Sequence, residues 1–199
     1  MTSELFPERI ETDRLSLSRL AREHVDVFEL YRICSADDGI EAVTRYLPWE
    51  PHATVKETEE FVARCEERWD DGEAANYAIR PGEGEEGAGE VAGACGLNPD
   101  WDRRSASLGL WLRERFWGRG YSGERAAVLL NLAFERLDLE LVWVTHHVEN
   151  GKSRSAIERY VDAHGGRREG TLRNWGPYGD EVADEVRYSI SREEYERSR

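Results

Sequence analysis

Arg115-Phe116-Trp117-Gly118-Arg119-Gly120-Tyr121-Ser122-Gly123-Glu124 joins two runs of opposite periodicity. Before it, Ser107-Leu108-Gly109-Leu110-Trp111-Leu112 alternates as a strand does. After it, Arg125-Ala126-Ala127-Val128-Leu129-Leu130-Asn131-Leu132-Ala133-Phe134 is apolar and helix-favouring. Strand, glycine-bearing turn and helix together present unpaired backbone N–H groups, because the first turn of a helix has donors with no internal partner. The aligned peptide dipoles add partial positive charge at the same end, so the arrangement suits a phosphate. Gly118 and Gly120 allow an anion to approach the backbone without meeting a Cβ.

Two familiar phosphate loops fit poorly. A Walker A loop needs Gly-Lys-Ser/Thr at its end, and none follows Gly120. Gly151-Lys152-Ser153 has that ending, but His146 stands where the first glycine belongs. Gly118-Arg119-Gly120-Tyr121-Ser122-Gly123 matches the dinucleotide string G-x-G-x-x-G. That reading also needs an acid at the end of the next strand. The next strand, Leu141-Val142-Trp143-Val144-Thr145, runs into His146 and His147 instead.

Arg115-x-x-Gly118-x-Gly120 resembles the acetyl-CoA pyrophosphate loop of the GNAT superfamily of N-acetyltransferases. The flanks resemble its RimJ/RimL branch, which acetylates ribosomal-protein alanine N-termini. Thr12-Asp13-Arg14-Leu15-Ser16-Leu17-Ser18-Arg19 is similar to that branch's opening, and Tyr46-Leu47-Pro48-Trp49 with Pro51 to its next segment. Leu110-Trp111-Leu112, the glycine loop and Glu124 match the central motif, and Asn150-Gly151-Lys152-Ser153 the Asn-x-x-Ser element. Glu169-Gly170, Asp184-Glu185-Val186-Arg187-Tyr188-Ser189 and Glu193-Glu194-Tyr195 match its end. Each motif alone is weak; their order and spacing along nearly the whole chain carry the resemblance.

Composition narrows the rest. With 199 residues, one domain spanning 1–199 is expected, long enough to bury a core without metal or disulfide. Cys34, Cys65 and Cys95 are too few and scattered for a disulfide framework or zinc site, and no metal site is expected. They fit a reducing, cytoplasmic setting. Met1 to Glu8 offers neither the basic nor the apolar region of a secretion signal. The apolar run from Ala126 to Phe134 is too short for a membrane span. The formal net charge of −14 argues against a nucleic-acid partner. Only Lys56 and Lys152 are lysines among 27 basic residues. A GC-rich genome explains arginine but not acidity, so the pairing points to a salt-adapted, halophilic cytoplasm. At molar salt the Debye length falls to about 3 Å and the carboxylates' mutual repulsion is screened.

Period and punctuation place the elements. Leu15 and Leu17 read as a first strand, and Glu23 to Cys34 as a helix with Val25, Phe28 and Leu30 inward. Thr54-Val55-Lys56-Glu57 has a capping-box signature and opens a helix through Trp69, with Phe61, Val62, Cys65 and Trp69 inward. Asn76–Arg80 and Val91–Leu97 read as paired strands around a solvated acidic loop, Pro81 to Glu90. A helix is expected from Lys152 to Ala163, then strands near Arg168–Trp175 and Glu185–Ile190 joined by Gly176-Pro177-Tyr178-Gly179. This alternation argues α/β or α+β with a mixed sheet. The resemblance implies the GNAT fold: a mixed, mostly antiparallel central sheet with a splayed strand pair, flanked by helices, the pantetheine arm lying in the opening.

Acetyl transfer from a thioester to an amine needs a neutral amine, donors for the oxyanion and a proton or hydrogen bond for the leaving thiolate. The cofactor implied is acetyl-CoA, held by Leu112 and by Arg115, Phe116, Trp117, Gly118, Arg119, Gly120, Tyr121, Ser122 and Gly123. Gly123 stands where relatives often carry a hydroxyl, which leaves Ser122 as the local one. For chemistry and cofactor contact the resemblance points to Asn150 and Ser153. Asn150 would steady the loop and Ser153 would meet the sulfur, although Ser153 also reads as a helix N-cap. Tyr160 is a second candidate acid, with inward packing its alternative.

The base is not readable. Ser107 stands where many relatives carry glutamate, and Asp180, Asp184, His146 and His147 are what remains. Adjacent histidines on a strand cannot both point inward. An α-amine, which ordinarily titrates at about 7.7–8.0, has a useful neutral fraction without a strong base, whereas a lysine amine at about 10.4 does not. The acceptor expected is therefore a protein or peptide N-terminus, with Trp49, Trp175 and Tyr178 as part of an aromatic-lined cleft. A small amine (a polyamine, amino acid or antibiotic) is the alternative, and a non-catalytic acyl-CoA-binding module a third. Dimers are common in the family, so a homodimer is carried as an expectation with no readable interface motif. The Ser153–Gly165 segment is longer by about one helical turn than in typical relatives, and Gly166 replaces their aromatic.

Overall fold

The computed structural model describes residues 5–179 and 181–199. Its strands are β1 (Arg9–Glu11), β2 (Leu15–Arg19), β3 (Ala75–Pro81), β4 (Gly93–Asp100), β5 (Ser105–Leu112), β6 (Leu141–His147), β7 (Arg167–Tyr178) and β8 (Glu181–Ser191). They form one sheet in the order β1-β2-β3-β4-β5-β6-β8-β7. Among the described residues only the β5–β6 pair is parallel. The helices are α1 (Val27–Ala36), α2 (Ile40–Thr44), α3 (Val55–Asp70), α4 (Tyr121–Asn131), α5 (Gly151–Ala163) and α6 (Arg192–Arg197), with a π turn, Leu132–Arg136, continuing α4.

Helices cover both faces. On one, Leu30, Ile33 and Cys34 of α1 and Val62 and Cys65 of α3 pack on Ala78 and Ala94, with Trp49 and Trp111 beside them. On the other, Leu129 and Leu130 of α4, Ile157 and Val161 of α5 and Tyr195 of α6 pack on Leu108, Val142, Val144 and Ile190. β6 shows the division residue by residue: Val142, Val144 and His146 are buried, while Trp143, Thr145 and His147 are half-buried on the opposite face.

Several expectations shift at element ends. α1 starts at Val27, because Asp26 accepts the N–H groups of Phe28 and Glu29 as its cap. That phase turns Leu30, Ile33 and Cys34 inward and leaves Phe28 62% exposed, contrary to the inward reading; Val25 is buried ahead of the helix. At α3 the box does not form: Thr54 caps no N–H, and Glu57 accepts from the Ala53 N–H and the Thr54 hydroxyl instead of the Thr54 N–H. The complete box is Ser191 with Glu194, opening α6. β7 and β8 run through the segment read as their turn. Pro177, paired with Val182, is tolerated because β7 is an edge strand. Gly166 has a packing cause. A Cβ there would lie 2.4 Å from the Ser189 carbonyl oxygen and 2.5 Å from Ile190 Cγ1, so no aromatic fits.

The β5–β6 ladder is short. Ser105, Ala106 and Ser107 pair with Leu141, Val142 and Trp143, and there it stops. β5 continues to Leu112 paired only with β4, and β6 to His147 paired only with β8. The facing edges, 108–112 and 144–147, are therefore open, and the sheet is splayed between them.

Candidate active site

The glycine loop lies at one mouth of this opening. Gly118 (φ +75°) and Gly120 (φ +83°) take the left-handed conformation that a side chain disfavours. Gly120 is the N-cap of α4 and supplies no side-chain cap. The backbone N–H groups of Gly118, Arg119, Gly120, Tyr121 and Ser122 find no acceptor among the described residues. Free donors, the helix dipole and the nearby arginines fit a diphosphate.

A clasp from the turn between β1 and β2 fixes this loop. The Glu124 carboxylate accepts from the Thr12 hydroxyl (2.5 Å), the Arg14 N–H (2.8 Å) and Arg14 Nε (2.8 Å), while Arg14 Nη1 donates to the Arg119 carbonyl (3.0 Å). Burial pushes the Glu124 carboxyl up, but the Thr12 and Arg14 donors outweigh it and hold it below the ordinary carboxylate range. Both ends were legible as motif residues; their contact was not.

The loop's arginines are already engaged. Glu90 pairs with Arg115, the Glu86 carboxylate and carbonyl accept from Arg119 at 3.0 and 3.1 Å, and Glu85 accepts the Tyr121 hydroxyl at 2.7 Å. The acidic loop between β3 and β4, read as merely solvated, thus folds over the glycine loop. The signal was present as carboxylates in one loop matching arginines in another, but only the fold brings them together. Phe116 is buried below, with Arg113, Arg115 and Arg119 at 5.8, 4.5 and 5.1 Å from its ring centre, so its ring supports the arginines. Trp117 donates its indole N–H to the Leu112 carbonyl (2.8 Å) and stacks under Lys152 Nζ (4.0 Å). This contact ties the end of β5 to the first turn of α5.

At that turn Asn150 is the N-cap, its Oδ1 accepting the Ser153 N–H at 3.0 Å. The Ser153 hydroxyl, which read equally well as cap or acid, is not the cap. It is half-buried and has no hydrogen-bond partner among the described residues. Tyr160 lies deeper, 3% exposed, its Cβ 3.9 Å from where a Gly123 Cβ would stand. Its hydroxyl makes no hydrogen bond of good geometry among the described residues, and burial raises its pKa despite the buried Arg125 beside it. Gly123 is thus where α4 approaches α5, at a distance that leaves room for a Cβ.

The other face of the opening is aromatic. Trp111 of β5 packs edge-on against Trp49 (5.6 Å), and His147 of β6 lies against Tyr46 (4.8 Å) and Tyr178 (4.9 Å). Trp175 is 52% exposed, outside this cluster. His146 points the opposite way and stacks on Tyr188; burial lowers its pKa, partly offset by the His147 carbonyl. His147 Nδ1 accepts the Glu149 N–H (3.1 Å). A neutral His147 therefore carries its proton on Nε2 and is a donor at its free nitrogen, which ill suits a base. Asp184 accepts the Asn174 N–H (2.9 Å) and shapes the hairpin. Ser107 sits at the last β5–β6 pair, and Asp180 lies outside the described residues.

A mixed sheet splayed beside a glycine-loop helix is the architecture of a GNAT acetyltransferase, and the acetyltransferase (GNAT) domain family matches residues 14–160. The chain belongs to that family and is an acetyl-CoA-dependent N-acetyltransferase. It is 25% identical over 189 residues to the uncharacterized N-acetyltransferase p20 of Bacillus licheniformis, covering 94% of this chain and 98% of that one. Its fold is similar to that of the microcin C7 self-immunity acetyltransferase MccE in complex with acetyl-CoA and AMP (TM-score 0.79, 19% identity, 94% and 98% covered). It is also similar to RimL, the ribosomal L7/L12 α-N-protein acetyltransferase (TM-score 0.75, 20% identity, 92% and 94% covered). Among the described residues no helix is long and apolar enough to cross a membrane, and no group of His, Cys, Asp and Glu could hold a metal ion. Cys34, Cys65 and Cys95 are buried and free, their thiols pushed up to about 12 by burial.

Proposed function

We propose that this protein acetylates the α-amine of a protein or peptide N-terminus in the cytoplasm of a salt-adapted cell, as the RimJ/RimL branch does. The observation that carries this reading is Ser107 at the fork of the opening, where a strand glutamate would serve as base. With no carboxylate there, the acceptor best served is an amine already partly neutral at about pH 8, which an α-amine is and a lysine is not. RimL, an α-N-protein acetyltransferase, shares the fold.

Acetyl-CoA supplies the activated acetyl thioester. The glycine-loop N–H groups, with Arg115 and Arg119, would hold its diphosphate, and the open edge of β5 up to Leu112 would receive the pantetheine arm. Asn150 holds the turn, which leaves the Ser153 hydroxyl free; as the C–S bond breaks it would give its proton to the thiolate and regain the one that the attacking amine loses. The acceptor enters at the aromatic mouth, where proximity to the thioester supplies much of the rate.

The test is thiol release from acetyl-CoA at high KCl, with peptides beginning Ser or Ala set against polyamines and amino acids. Turnover with peptides that disappears when their α-amine is blocked is expected. Turnover with small amines alone would assign the small-amine activity instead.

A further inference from the structure

The aromatic mouth holds a carboxylate with no cation. Glu185 of β8 is directly paired with His147 of β6 and is only 8% exposed. Its Oε1 accepts the Tyr178 hydroxyl at 2.7 Å, and no basic group among the described residues pairs with it. Arg187, two residues along the same strand face, turns instead onto the Trp143 ring, 4.7 Å from its centre. The space is built for the carboxylate. β7 shifts register between Leu172 and Gly176, and a Cβ on Gly176 would lie 2.3 Å from Glu185 Oε1. Burying a carboxylate without a counter-charge is costly, so a fold that makes room for one and withholds its partner leaves a place for an incoming cation. The Tyr178 ring beside it favours such a cation further.

We propose that Glu185 is a specificity residue that docks a second positive charge on the acceptor, apart from the amine that is acetylated. The inference rests on the acetyltransferase reading and names its substrate class: an amine with a neighbouring cation, most simply an N-terminus followed by a basic residue. Distance separates the two charges. The reacting amine must reach the gap between β5 and β6, and Glu185 stands on the far side of β6, about 4.8 Å further across the sheet. His147 lies between, offering Nε2–H to a carbonyl rather than competing for the proton.

The experiment compares peptides Ala-Arg-, Ala-Gln- and Ala-Glu- with a matched diamine and monoamine, on wild type and Glu185→Gln, at one fixed ionic strength. In wild type, kcat/KM should favour Ala-Arg- over Ala-Gln- by about tenfold or more, mainly through KM. In Glu185→Gln that preference should fall to about one, with the KM for acetyl-CoA unchanged and thermal stability equal or higher. A structural glutamate would instead lower stability and leave the preference intact, and that outcome overturns the proposal. Should Glu185→Gln fail to fold, Glu185→Asp keeps the charge with a shorter reach and should retain a weaker preference; an unchanged or absent one counts against us. If only the diamine is acetylated and the variant erases its advantage over the monoamine, the docking role stands while the N-terminal reading falls.

Discussion

Asn150 caps α5, which leaves the Ser153 hydroxyl free for the role proposed for it. Because Asn150 caps α5, Ser153→Ala should leave unfolding within about 0.5 kcal/mol of wild type. The same change should lower kcat about a hundredfold with little effect on acetyl-CoA KM. Equal kcat in the variant would remove Ser153 from the chemistry. Asn150→Ala should instead cost about 1 kcal/mol in a urea titration, the usual worth of an N-cap. Glu124 gives the acid-side prediction. Its folded pKa is depressed, so its contribution is present above the unfolded value of about 4.3 and is lost as pH falls through the lower folded value. The Tm gap between wild type and Glu124→Gln should therefore be widest at neutral pH and close below about pH 4. A gap that stays constant down to about pH 3 would mean the Arg14 clasp contributes no charge-dependent stability.

At the scale of elements, the β3–β4 loop would compete with a diphosphate for Arg115, Arg119 and Tyr121 of the glycine loop. Glu85, Glu86 and Glu90 hold the groups that a diphosphate would use, so binding has to displace them. Each exposed pair contributes a few tenths of a kcal/mol. Replacing all three carboxylates by Gln should therefore tighten CoA about three- to tenfold at low salt. Affinity of that variant should then fall steadily with KCl, whereas in wild type screening weakens the loop's hold as well as the ligand's. Isothermal titration across a KCl series measures both; equal or weaker binding by the triple variant would show that the loop helps the cofactor. The sequence displayed both loops, but their contact depends on the β3–β4 hairpin ending beside β5, which no local pattern encodes.

Across the whole molecule, 41 acidic and 27 basic residues leave a formal charge of −14. The ion pairs spread over the surface do not neutralise that excess, which raises repulsion in the compact state at low salt. Raising KCl from about 0.1 M to about 2 M should therefore raise Tm, as the Debye length falls from about 10 Å toward about 3 Å. A flat or falling Tm would sink the salt-adapted reading and leave the arginine preference to codon usage. The same sheet sets the geometry of catalysis, since cofactor loop and aromatic mouth belong to opposite faces of one splay.

What the sequence by itself determined is local. Alternation at 107–112, the glycines at 118 and 120 and the helix after them identify the loop, because period, φ preference and unpaired N–H groups are properties of neighbouring residues. The Asn150–Ser153 spacing is equally local. Only the tertiary structure decided which of Asn150 and Ser153 caps the helix, which histidine faces the mouth, and that Glu185 rather than Asp184 enters it. The cap depends on the geometry of one turn; the other two outcomes depend on strand register and on the β7 irregularity, and a shift of one residue would exchange those faces.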